Sequence, residues 1–258
     1  MSDSTLHHAA AEGYAQGADT YVRGRPDYPP QVSAWLTDTL GLQPGQTVLE
    51  VGAGTGKFTP RLLQTGARVI VLEPVQAMLA KLSKAHPEVE AHQGTVQAIP
   101  LADASVDVVV CAQAFHWFAN HEALAEIHRV LKPGGRLGLI WNLRDASVPW
   151  VAELDALVNQ WEVDAPRFYT GAWRQAFPYD GLGPLQEQRF IQPHNGPVED
   201  VIFNRVRSTS FISALAPDER EKVEQQLRDF VASYEELKPG REVSVPYITY
   251  AFVTQKLT

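Results

Sequence analysis

The stretch 47–65 limits the fold of this chain more than any other. Thr47, Val48, Leu49, Glu50 and Val51 form a short apolar, β-branched run that passes directly into Gly52, Ala53, Gly54, Thr55 and Gly56. A helix is expected over 56–65, with Phe58 and Leu62 one turn apart and Gly66 as its stop. Pro60 is tolerated there because it falls in the first turn. A strand that turns through glycines into a helix leaves free N–H groups at the helix start. The glycines let a ligand approach the backbone without meeting a Cβ. That combination opens a βαβ unit whose first loop is shaped to hold something.

The rest of the first half repeats the alternation. Strands are expected at 68–72, 88–93, 106–112 and 136–142. Met78, Leu79 and Leu82 mark one intervening helix, and Leu124, Ile127 and Leu131 another, which stops at Lys132-Pro133-Gly134-Gly135. Near-continuous apolar strands suit a parallel sheet covered on both faces. Later segments predict helices over 151–161 and 217–234 and strands over 188–192 and 247–254. The expected fold is α/β: a Rossmann-like, doubly wound, mostly parallel seven-stranded sheet. No Ser/Gly linker divides the chain, so residues 1–258 read as one domain. Within it, 1–35 is a lid-like segment, 46–142 a cofactor-binding core, and 143–258 a helical cap that also completes the sheet.

The loop and its acidic neighbours narrow the ligand. Glu73 ends the second strand, 21 positions after Gly52, where a carboxylate can accept both hydroxyls of an adenosyl ribose. The loop spacing is G-x-G-x-G, not the G-x-G-x-x-G that favours a dinucleotide pyrophosphate. Glu50 adds a carboxylate at the end of strand one, which repels a pyrophosphate but suits an ammonium and a sulfonium. S-adenosylmethionine carries both cations, so electrostatics favours it over a nicotinamide cofactor.

Glu50 to Gly56 and Glu73 also resemble the first two motifs of the class I S-adenosylmethionine-dependent methyltransferases. Gly94-Thr95-Val96-Gln97-Ala98-Ile99-Pro100 is similar to the family's adenine-binding turn, with Thr95 standing where the family usually has Asp. The resemblance implies that the Val96 N–H meets the adenine ring. Leu131 to Leu137 is similar to the family's turn into strand five. The likeness covers 46–142 and implies cofactor contacts from Glu50, Gly52, Ala53, Gly54, Gly56, Glu73, Thr95 and Val96. Pro74 and Gln113, beside these motifs, are assigned to the cofactor as well.

Ligands of an open α/β sheet bind at the carboxyl ends of its strands. Strand four ends in Gln113-Ala114-Phe115-His116-Trp117-Phe118. Aromatic faces attract a sulfonium, so Phe115 and Trp117 are candidate site residues. His116 is the candidate catalytic base, since its ordinary pKa lies near 6.5. This string, with Tyr21-Val22-Arg23-Gly24-Arg25-Pro26-Asp27-Tyr28-Pro29, resembles the trans-aconitate methyltransferase-like branch. Tyr21 and Arg25 then belong to a lid that excludes water. Asn142 and Arg144 end strand five beside the same crevice, and Arg207 lies in the expected cap. A carboxylate acceptor would want a bidentate arginine, from Arg144 or Arg207.

Methyl transfer to oxygen or nitrogen of a small molecule is the leading reading, with a carboxylic acid as the favoured oxygen acceptor and an amine or phenol still open. A protein that binds the cofactor without transferring methyl, or a nicotinamide oxidoreductase, are the alternatives. Composition removes other classes. Net charge is −8, which disfavours nucleic acid as a partner. No apolar run is long enough to span a bilayer, and residues 1–11 lack the apolar core of a signal peptide. One cysteine, Cys111, cannot form an internal disulfide, and a reducing cytoplasm is the expected compartment. The histidines show no metal-ligand spacing, so no metal is expected. Oligomeric state has no signature.

Overall fold

The computed structural model describes residues 25–162, 166–238 and 240–258. Seven strands form one sheet in the order β3-β2-β1-β4-β5-β7-β6. They are β1 (Thr47–Val51), β2 (Arg68–Glu73), β3 (Glu90–Gln93), β4 (Val106–Ala112), β5 (Leu131–Arg144), β6 (Gln186–Pro197) and β7 (Glu242–Gln255). The first five pair in parallel, while β7 is antiparallel to both β5 and β6. This is the Rossmann-like, mostly parallel sheet expected from the alternation. The strand order reverses between β1 and β4, which sets a crevice above their carboxyl ends.

Why the parallel strands read as unbroken apolar runs is visible in the packing. Val48, Val69, Val71, Val108 and Val110 face one side, against Trp35, Leu36, Leu62 and Leu82. Leu49, Val51, Ile70, Leu72, Val109 and Cys111 alternate with them and face the other, against Leu124, Ile127 and Trp173. Both faces are therefore dry, and period-2 alternation carries no polar signature. Cys111 is fully buried, and its surroundings push the thiol pKa upward, first through burial and then through Glu50.

Several elements differ in extent from their sequence pattern. The expected helix over 56–65 is helical only over Thr59–Leu63, because the glycine loop extends as turns to Phe58. Strand β5 starts at Leu131, immediately after the helix His121–Val130. Pairing jumps from Val106–Leu131 to Val108–Arg136, so Pro133, Gly134 and Gly135 form a bulge inside the strand. The helix itself begins where Asn120 Oδ1 accepts the Ala123 N–H at 2.8 Å, a cap worth about 1 kcal/mol. β6 and β7 run far beyond 188–192 and 247–254, with Pro193 opposite Pro246. Prolines suppress the strand pattern there, and β6 tolerates Pro193 as an edge strand.

The cap is built from the helices Pro149–Asn159 and Pro217–Ser233 and a helical stretch that runs from Glu199 to Arg207. Its core joins Val151, Leu154, Ile202, Val206, Leu227 and Tyr247. The amino-terminal half of β7 belongs to this cluster, while Ala251, Phe252 and Val253 at its other end belong to the sheet. Among the described residues, no helix is long and apolar enough to cross a membrane, and no group of His, Cys, Asp and Glu is arranged to hold a metal.

Candidate functional site

A cavity of about 450 Å³ opens at the carboxyl ends of β1, β2 and β4. Its floor is the glycine loop. Gly52 has φ +70°, and a Cβ there would come within 2.6 Å of the Ala114 Cβ. The position therefore demands glycine on both conformational and steric grounds. The Gly52 N–H donates to the Leu72 carbonyl at 2.8 Å, which ties the loop to the end of β2.

Glu73 forms the adjoining wall. Its Oε2 accepts the Gly54 N–H at 2.8 Å, and its Oε1 accepts the Val75 N–H at 2.9 Å. The side chain is 4% exposed. Burial raises its pKa, and these two backbone donors oppose the rise. Each carboxylate oxygen keeps a second lone pair, so a vicinal diol can still be accepted. Pro74, Thr95 and Val96 line the cavity next to it.

Glu50, 1% exposed, closes β1 and accepts the Thr59 hydroxyl at 2.7 Å. Burial pushes its pKa up to about 8, the Thr59 bond pulls it back, and the charge of Glu73 raises it further. At neutral pH it mostly holds its proton, and a cation brought alongside would ionise it. Gln113, at the end of β4, has φ +60° and lines the cavity. Its Nε2 donates to the Asn142 carbonyl at 3.4 Å. Asn142 is fixed in turn: its Oδ1 accepts the Thr249 hydroxyl at 2.6 Å, and its Nδ2 donates to the Asp27 carbonyl at 3.2 Å.

The expected site residues separate into two groups. Glu50, Gly52, Ala53, Gly54, Glu73, Pro74, Thr95, Val96 and Gln113 come together around the cavity, as do Arg25, Trp117 and Asn142. Five others do not reach it as expected. Gly56 packs instead against the helix Gln76–Ala85, where a Cβ would meet Leu82 Cγ at 3.0 Å. Phe115 is fully buried and packs edge-on against Phe118 and Trp173. Arg144 is spent on Asp155, with an N–O distance of 2.6 Å. Arg207 is held by Glu224 through two bonds of 2.6 and 2.7 Å and also pairs with Glu199. Each of those guanidiniums already has the carboxylate it was expected to offer a substrate.

His116 is the fifth, and here the base reading is corrected. The Trp141 indole N–H donates to His116 Nδ1 at 3.0 Å, which places the ring proton on Nε2 and leaves no free lone pair. Burial pushes the imidazole pKa down to about 3, helped by the charges of Arg167 and Arg25. The ring lies off the cavity wall and bridges the ends of β4 and β5. Tyr21 and the other residues 1–24 of the expected lid lie outside the described residues.

Two cavity cations were missed, Lys57 and Arg205. Arg205 sits four residues after the buried Val201 and next to the buried Val206, on the inner edge of its helix. Helical spacing does not separate it from Arg207, which in turn lies four residues after the buried Phe203.

Residues 49–139 match a family described as a methyltransferase domain. Over 237 residues the chain is 40% identical to an uncharacterized methyltransferase-like protein of Schizosaccharomyces pombe, covering 92% of each. It is 35% identical over 255 residues to an uncharacterized methyltransferase of Mycobacterium bovis, covering 96% of this chain and 97% of that one. A solved structure from Anaeromyxobacter dehalogenans superposes with a TM-score of 0.65 at 22% identity, covering 90% of this chain and 98% of that one. At that identity the likeness is one of fold.

Proposed function

The chain belongs to the S-adenosylmethionine-dependent methyltransferase family, and from that premise we propose that it methylates oxygen or nitrogen of a small molecule in the cavity above β1 and β4. The favoured acceptor is a carboxylic acid, in keeping with the trans-aconitate methyltransferase-like branch. The observation that carries this reading is the Glu73 carboxylate, pinned by the N–H groups of Gly54 and Val75 at the cavity wall with lone pairs to spare. Such a carboxylate needs no rearrangement to accept ribose hydroxyls.

The residues present fit the cofactor. Glu73 would hold the ribose, Thr95 and Val96 the adenine, and Glu50 the ammonium. The bound cofactor supplies a methyl group already activated on a sulfonium. What remains for the protein is to bind, align and dry the acceptor, and alignment alone can supply most of the rate. Trp117 and Phe118 give the cavity apolar walls that exclude water, while Asn142 and Gln113 are fixed polar groups beside it. With His116 committed to Trp141, the reading requires an acceptor that is nucleophilic without deprotonation by an imidazole, which suits a carboxylate or a neutral amine.

The test is a methyl-transfer screen of small acids, amines and phenols, read as formation of S-adenosylhomocysteine. Calorimetry of both S-adenosyl compounds runs alongside. Acceptor-dependent turnover supports the reading. Tight cofactor binding without turnover of any acceptor class would favour a binding protein of the same fold.

A further inference from the structure

Arg205 is partly buried, in unusual company. Its Nη1 donates to the Thr209 hydroxyl at 3.3 Å, while its Nε is sealed from solvent and has no acceptor among the described residues. The Tyr247 hydroxyl beside it supports its charge, and the other charged groups that act on it among the described residues are Arg25 and Arg144, both cations. Arg144 uses Asp155, and its own Nη1 is likewise buried without an acceptor. Two carboxyls of the cavity are engaged elsewhere, Glu50 with Thr59 and Glu73 with Gly54 and Val75, and Glu122, which also lines it, is not among the groups that act on Arg205. Burial, opposed by Tyr247 and reinforced by Arg25 and Arg144, pushes the Arg205 pKa down to about 10. A desolvated guanidinium among like charges is unfavourable unless something else supplies the negative charge.

Placement says what that is. Arg205 and Arg25 both line the cavity, one from the cap and one from the segment before β1. They share a support, since Arg25 Nη2 donates to the Ser208 carbonyl at 3.1 Å. We propose that Arg205, with Arg25, forms an anion-binding subsite in this cavity that holds a carboxylate of the methyl acceptor. The inference rests on the methyl-transfer reading and deepens it. The specificity arginines are thus a cap residue and an N-terminal one, in place of Arg144 and Arg207. A guanidinium pairs with a planar oxyanion through two parallel N–H groups.

The experiment titrates succinate, citrate, benzoate and inorganic phosphate into the full chain by calorimetry, with and without S-adenosylhomocysteine. Succinamide and benzamide serve as uncharged controls. At least one carboxylate should bind ten or more times tighter than its amide. R205Q should lose tenfold or more of that affinity, R205K should recover part of it, and the exposed R189Q should not change it. S-adenosylhomocysteine affinity within twofold of the parent shows that R205Q and R205K are folded. Carboxylates binding no better than amides, or binding R205Q as they bind the parent, would overturn the subsite. Phosphate bound in place of every carboxylate overturns the carboxylate assignment. Arg205-dependent acid binding by a protein that takes up no S-adenosylhomocysteine would uphold the subsite and sink the methyl-transfer reading instead.

Discussion

The two ends of the cavity are made in different ways. At the cofactor end, most polar contacts are set by nearby backbone: Glu73 is gripped by two main-chain N–H groups, and the loop beneath it hangs on the Leu72 carbonyl, with the Thr59 hydroxyl on Glu50 as the side-chain exception. The contacts lie within one βαβ unit, between residues 47 and 75. At the acceptor end, Arg25, Asn142 and Arg205 come from three distant segments and meet only in the folded chain. A site written in local backbone geometry leaves a compact pattern in the sequence. A site written in side chains from separate elements leaves almost none.

That contrast predicts a graded response of cofactor affinity. Glu73→Ala removes the ribose acceptor and frees two backbone donors, so S-adenosylmethionine affinity should fall about 100-fold, near 2.7 kcal/mol. Unchanged affinity by calorimetry would dissolve the contrast at once. Gly52→Ala comes next. With φ +70° and the Ala114 Cβ 2.6 Å away, it should destabilise the protein by about 1–3 kcal/mol in thermal unfolding and weaken the cofactor about tenfold.

Glu50 gives a smaller effect, visible in its pH dependence. Because its pKa is raised to about 8, binding an ammonium beside it must release a proton below that pH. Affinity should therefore weaken as pH falls from 8 to 6, by at most about tenfold per pH unit. Calorimetry in buffers of different ionisation enthalpy should register the proton. The Glu50→Gln variant should flatten the profile. The same raised value has the opposite sign for the fold. The unfolded chain gives up this proton first, so the protein without cofactor should lose stability as pH climbs from about 4.5 to 8.

The smallest change is expected at His116. His116→Phe strands the Trp141 indole N–H and should cost about 1 kcal/mol of stability, with turnover at saturating cofactor altered less than about threefold. A pH–rate profile should show no limb near 6.5. A 100-fold loss of turnover would restore the imidazole to the chemistry.

The sheet was legible because its physics is local and repetitive. Strands β1, β2 and β4 announce themselves as apolar runs, and β4 keeps the limits expected of it. The glycine loop and Glu73 were legible for the reason already given. The long antiparallel pairing of β6 and β7 was hidden by Pro193, Pro197 and Pro246, which the edge position of this pair accommodates. Arg144 and Arg207 were misread because a sequence does not show that Asp155 and Glu224 will claim them first. His116 was misread for a like reason: its partner, Trp141, lies a strand away.

Strand β7 carries a mechanical consequence. It threads the cap cluster with Val243, Val245 and Tyr247, then enters the sheet with Ala251, Phe252 and Val253. Between them Thr249 clasps Asn142 on β5. Loosening the cap would pull on the same strand whose other end zips against β5, so loss of one should propagate to the other. Heating should then melt both in a single cooperative event, and shape changes during turnover are steered away from the cap as a swinging body.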